Sequence, residues 1–104
     1  MTTAADAIRL ATILDRVGEL AEAIGKPLDC EVGKRYIRLV LSHNDDGSGR
    51  YVHAFVDIAT GDLLKAAGWK APAKGARGNL LDDESFAAVL AKADPYGSYL
   101  YINK

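Results

Sequence analysis

Between residues 65 and 79 the chain reads Lys-Ala-Ala-Gly-Trp-Lys-Ala-Pro-Ala-Lys-Gly-Ala-Arg-Gly-Asn, four cations without a carboxylate. The full sequence of 104 residues holds 13 basic and 14 acidic side chains. The stretch carries +4, which leaves 9 basic against 14 acidic residues elsewhere. Lys70, Lys74 and Arg77 are spaced by four and three, and glycines at 68, 75 and 78 allow the backbone to approach a bound group. Backbone N–H groups among cations make a nest for anions. Trp69 offers a flat face on which a base can stack, and Asn79 can hydrogen-bond a base edge or sugar hydroxyl. Lys65 adds charge from the strand leading in. Lys65, Trp69, Lys70, Lys74, Arg77 and Asn79 are therefore the expected contacts to a phosphate-bearing ligand, either nucleic acid or a small nucleotide signal. Two other uses stay open: Trp69 as a core anchor for a solvated loop, and a loop that meets an acidic surface on a neighbouring subunit. The stretch is not a P-loop, since no Gly-Lys-Ser/Thr follows at the required spacing. Gly75-Ala76-Arg77-Gly78 has the spacing of a Gly-x-x-Gly backbone clamp.

The remaining chemistry-bearing residues do not assemble on paper into a catalytic set. His43 and His53 are the only imidazoles and Cys30 the only thiol, too few for the usual metal-ligand complement. His53 is expected on the outer face of a strand, beside Tyr51 and Phe55. Asn44, Asp45 and Asp46 lack the alternation and distal glutamate of a calcium loop. Asp57 and Asp62 flank a tight turn and are expected to bond local backbone. Cys30 sits between Asp29 and Glu31, which disfavour its thiolate. Tyr96, Tyr99 and Tyr101 suit packing with the hydroxyl left wet, or a stacking surface. No nucleophile, acid–base pair, metal site or cofactor motif stands out, and a non-enzymatic binding protein is expected.

The elements that must position these residues follow from periodicity. Leu10, Leu14, Val17, Ala21 and Ile24, widened by Ile13 and Leu20, predict an amphipathic helix ending at Gly25-Lys26-Pro27. Alternation predicts strands at 36–42 and 50–58, joined by a loop at 44–49, and a short strand near 63–66 after the turn Thr60-Gly61-Asp62. On the second strand, Val52, Ala54, Val56 and Ile58 are expected to share one face. Pro72 and the glycines place the basic stretch in a loop. Asp82 caps a second helix whose buried stripe is Phe86, Val89, Leu90 and Ala93, and a last strand is expected at 98–102. The expected fold is α+β: an antiparallel meander of three to four strands, with an N-terminal helix and a second helix packed on one face.

The residues Val52-His53-Ala54-Phe55-Val56-Asp57, Thr60-Gly61-Asp62, Lys65-Ala66-Ala67, Trp69-Lys70-Ala71-Pro72-Ala73-Lys74-Gly75, Arg77 and Asn79 resemble a motif of small uncharacterised proteins of tailed bacteriophages. The likeness spans roughly residues 35–82, plus the Pro95-Tyr96-Gly97 turn. It implies a phage origin and action in the cytoplasm of an infected bacterium, where the ligand expected from the basic stretch would be host or phage nucleic acid, or a nucleotide signal of host defence. It carries no activity over.

Composition sets the outer bounds. The chain has the length of one domain and the apolar content to build its own core. A single cysteine allows no internal disulfide, which suits a reducing compartment. No apolar run is long enough to span a bilayer, so no membrane partner is expected, and no signal peptide is visible at the N-terminus. The near-neutral balance argues against a broad coat on nucleic acid but leaves room for one local contact. A homo-oligomer would multiply a thin basic footprint. The competing expectation is a module that contacts a host protein through the aromatic sheet face or the first helix.

Overall fold

A computed structural model describes residues 4–42, 49–95 and 97–100. The first helix, α1, spans Ala4–Ile24 and is followed by five strands: β1 Asp29–Val32, β2 Tyr36–Ser42, β3 Arg50–Asp57, β4 Asp62–Ala66 and β5 Pro72–Asn79. Helix α2 covers Asp83–Lys92, and a single 3-10 turn covers Ser98–Leu100. The strands pair antiparallel in sequence order, β1-β2-β3-β4-β5. Both helices lie on one side of this meander, as the α+β reading requires. The sheet exceeds the expected three to four strands because β1 and β5 were not anticipated. His43, the loop at 44–48, Tyr96 and Tyr101 lie outside the described residues.

Helix α1 buries Ile13, Val17, Leu20 and Ile24, with Leu10 and Leu14 on its flanks. The stripe is thus rotated slightly from the one centred on Leu14 and Ala21. It meets Ile37, Leu39 and Leu41 of β2, Ala54 and Val56 of β3, Leu63 of β4, and Phe86 and Val89 of α2. Gly25 stops α1 at φ 84°. The Lys26 amide bonds the Ala21 carbonyl at 3.3 Å and the Gly25 amide bonds Glu22 at 3.2 Å, the paired bonds of a Schellman terminus. At α2, Asp82 is the expected N-cap and accepts from the Ser85 amide at 3.3 Å. Arg16 ties the helices together: it donates to the Leu80 carbonyl at 2.8 Å and to Asp83 at 2.6 Å, with its guanidinium 5.1 Å from the Phe86 ring centre.

Two of the three register shifts in the sheet decide which way His53 and Arg77 face. Between β2 and β3 the register runs Leu39↔Ala54 and then Val40↔Val52, so His53 is an extra residue in a bulge. Beyond it the faces exchange. Tyr51, opposite Leu41, packs on the core, and Val52, opposite Val40, turns outward. The expected outer row of Tyr51, His53 and Phe55 does not form: Phe55 alone keeps that side, and His53 is buried against the C-terminal turn. Between β4 and β5 the register runs Leu63↔Gly78 and then Leu64↔Ala76, which leaves Arg77 as the extra residue. Segment 98–100 forms a 3-10 turn where a strand was expected.

Candidate functional site

The basic stretch is not a loop. It is the end of β4, a tight tip closed by the Ala67 amide on the Ala71 carbonyl at 3.1 Å, and all of β5. A strand sends neighbouring side chains to opposite faces, so this geometry sorts the six expected contacts into groups. Lys65 lies opposite Ala54, on the helix side, with its ammonium 3.4 Å from the Ala66 carbonyl. Arg77, turned by the bulge, donates to the Leu100 carbonyl at 2.8 Å, to the Lys74 carbonyl at 2.6 Å and to the Gly75 carbonyl. Its guanidinium fastens the C-terminal turn to β5. Asn79 is equally committed. Its amide nitrogen donates to the Thr60 carbonyl and to Asp62, both at 2.9 Å, and its oxygen accepts the Leu81 and Asp82 amides at 2.7 and 3.0 Å. Lys65, Arg77 and Asn79 therefore do not join Lys70 and Lys74. Nor is Gly75-to-Gly78 a phosphate clamp. A Cβ on Gly78 would sit 2.4 Å from Val89, so this glycine exists to let α2 close on the sheet.

Trp69, Lys70 and Lys74 belong to the outer face. Trp69 is 47% exposed at the hairpin tip, which sets aside the core-anchor alternative. The tip is held over the sheet by Arg38 of β2, whose Nε donates to the Trp69 carbonyl at 2.6 Å. The Arg38 guanidinium lies 5.8 Å from the Trp69 ring centre and 5.9 Å from that of Phe55, and it also bonds Glu31 at 2.8 Å. Phe55 meets Tyr36 edge-on at 6.1 Å. This roof explains why Phe55 is only 2% exposed on a face that carries no helix.

Two shallow grooves flank this centre. One, of about 260 Å3, runs between Lys34, Arg38 and Lys70. The other, of about 300 Å3, runs between Lys74, Leu64 and Asp57. Arg35 and Tyr36 form part of both walls. The combined lining has five cations (Lys34, Arg35, Arg38, Lys70, Lys74) against Glu31, Asp57 and Asp62. The carboxylates are occupied. Glu31 pairs with Arg38 and Arg50, and the Arg38 hydrogen bond leads the causes that lower its pKa. Asp57 accepts the Ala59 and Thr60 amides at 2.9 and 3.3 Å, the local bonding expected of it, and lies 3.8 Å from Arg35. Asp62 holds Asn79. Lys34, Lys70 and Lys74 have no carboxylate within ion-pair distance among the described residues. The sequence reading missed Lys34, Arg35 and Arg38. The signal for them was the polar alternation of Tyr36 and Arg38 just after a Lys-Arg pair.

A family described as a family of unknown function (DUF7717) matches residues 12–102. The chain belongs to it. The match takes in all five strands, α2 and most of α1, so both the outer face and the core that supports it fall within the family's span. No curated protein and no solved structure matches the chain.

Away from this face, His53 and Tyr99 form a buried contact, with Nε2 and the phenol oxygen 2.5 Å apart. Nδ1 of His53 is buried and has no hydrogen-bond partner among the described residues. Burial lowers the His53 pKa to about 4, partly opposed by Asp94, and burial raises that of Tyr99. The Tyr99 hydroxyl is thus not wet as expected. Cys30 is free, and partial burial first and Asp29 second raise its pKa. Among the described residues no three His, Cys, Asp or Glu side chains gather as metal ligands, and no helix is long and apolar enough to cross a membrane.

Proposed function

We propose that the outer sheet face binds an anionic ligand that carries an aromatic base, and that it does so without catalysing a reaction. The observation that carries this reading is the half-exposed Trp69, locked in place by Arg38, on the sheet face whose grooves are lined by Lys70, Lys34 and Lys74, ammonium groups that meet no carboxylate among the described residues. A fixed aromatic surface and neighbouring cations are what a nucleotide needs: stacking for the base, charge for the phosphate. The set differs from the one expected from sequence. Trp69, Lys70 and Lys74 stay; Arg35, Arg38 and Lys34 replace Lys65, Arg77 and Asn79. In the phage setting implied by the Trp69-to-Gly75 resemblance, the ligand is nucleic acid or a nucleotide signal in the infected bacterial cytoplasm, and its capture counters host defence.

Trp69 is the sole tryptophan, so its fluorescence reports directly on the site. Titration with a nucleoside monophosphate and with oligothymidylate should quench it, with affinity falling steeply from low to moderate salt. Lack of quenching by any nucleotide at low salt would reject the reading. A second reading, contact with a host protein, is favoured by Val32, 51% exposed on a groove of about 650 Å3 between α1 and the β1–β2 turn, and by Ile8 of α1, 68% exposed. That contact would be nearly insensitive to salt and would leave Trp69 unquenched.

A further inference from the structure

We infer that the ligand of this face is a single-stranded polynucleotide laid across both grooves, with Arg35 at the phosphate between them; this rests on the reading just given. Arg35 and Tyr36 wall both grooves, so a ligand leaving one enters the other at that point. The cations are distributed in the same way, Lys70 on the first groove, Lys74 on the second and Arg35 between, its Nε 3.8 Å from Asp57, a contact beyond hydrogen-bond distance that a phosphate would displace. Charge spread along a path suits a phosphodiester chain, whereas a terminal phosphate calls for cations gathered at one point. There are two platforms for bases. One is Trp69. The other is the Arg35 guanidinium, which lies 5.0 Å from the Tyr36 ring centre and turns its outer side to solvent, with a side chain 73% exposed. Unpaired bases stack on tryptophan rings and on guanidinium planes alike, while duplex bases are closed to both. The grooves are also shallow and open, whereas sites for small signals enclose most of their ligand.

The experiment is a fluorescence titration of the full chain with thymidine monophosphate, the thymidine dinucleotide, oligothymidylate, oligouridylate and a DNA duplex. Affinity should rise roughly tenfold from mononucleotide to dinucleotide, since a second base gains a surface on which to stack. It should rise again for the oligomers and fall back for the duplex. The two oligomer arms separate RNA from DNA. Arg35→Ala should abolish the gain with length, so that mononucleotide and oligomer bind with similar affinity. Arg35→Lys, which keeps the charge and loses the plane, should restore part of it and guards against a folding defect in the first variant. Equal affinity for mononucleotide and oligomer would overturn the strand and leave a nucleotide site. Preference for the duplex would overturn it as well. Silence toward every probe at low salt would overturn the underlying reading.

Discussion

Arg77 donates to three backbone carbonyls, and Lys70 to none among the described residues; two cations seven positions apart thus have different work. Arg77→Ala should lower stability by about 1.5–3 kcal/mol, the usual loss for hydrogen bonds from a charged donor, and spare oligonucleotide affinity. Lys70→Ala with Lys74→Ala should do the reverse, weakening binding and flattening its salt dependence while the thermal midpoint stays put. Paired melting curves and fluorescence titrations check both. Trp69→Ala separates the two uses of an aromatic at the tip. Its indole is half in water and its hydrogen bond to Arg38 runs through the backbone, so stability should change by about 1 kcal/mol or less. Affinity for a stacked base should fall by about 1–3 kcal/mol, read with a fluorescently labelled oligonucleotide. His53 makes a pH prediction. Its folded pKa of about 4 lies below the ordinary imidazole value of 6.5 because the ring is buried, so the unfolded chain binds the proton more readily across that interval. The contribution is complete above about 6.5 and is lost as pH falls toward 4. On the order of 3 kcal/mol is at stake. Urea unfolding across this range should show the loss, and His53→Gln should flatten it.

At the scale of elements, the sequence made one kind of feature plain and concealed another. Regular alternation in 36–42 and 50–57 marked two strands, and Asp82 and Gly25 marked helix ends, because each is a local pattern. The hairpin of β4 and β5 was hidden because its second strand, Pro-Ala-Lys-Gly-Ala-Arg-Gly-Asn, has no β-branched or aromatic residue. It is a strand because of what it lies between: Leu63 and Leu64 on one side and α2 on the other. Strand β1 was missed for a related reason, being four exposed edge residues of which two are acidic and only Val32 is β-branched. The two bulges were equally illegible, yet they decide that His53 turns in and that Arg77 leaves the lysines. Of the proposed site, the aromatic tip and two lysines can be read from the sequence; the partners proposed from the β1–β2 turn and β2 required the register. Gly78 tests the element-level account. Gly78→Ala would push a methyl group into Val89 and should destabilise the fold by about 1–3 kcal/mol, seen as a lowered thermal midpoint, with affinity unchanged wherever the protein remains folded.

For the molecule as a whole, an acidic chain presents one face on which cations outnumber carboxylates and the carboxylates are already engaged. Such an arrangement attracts a polyanion to one side and repels it from the rest, which orients the encounter before contact. Association should therefore slow with added salt more than dissociation quickens, a difference that stopped-flow fluorescence resolves. The bond from Arg38 to the Trp69 carbonyl has one more consequence. It joins β2 to the tip of the β4–β5 hairpin, with β3 lying between, so the platform exists only when those strands are assembled. A synthetic peptide of residues 62–79 would possess all four cations that the primary structure advertises and still lack the brace beneath its indole. Excised in this way, the hairpin should be a poor mimic of its parent, however faithfully its own turn closes.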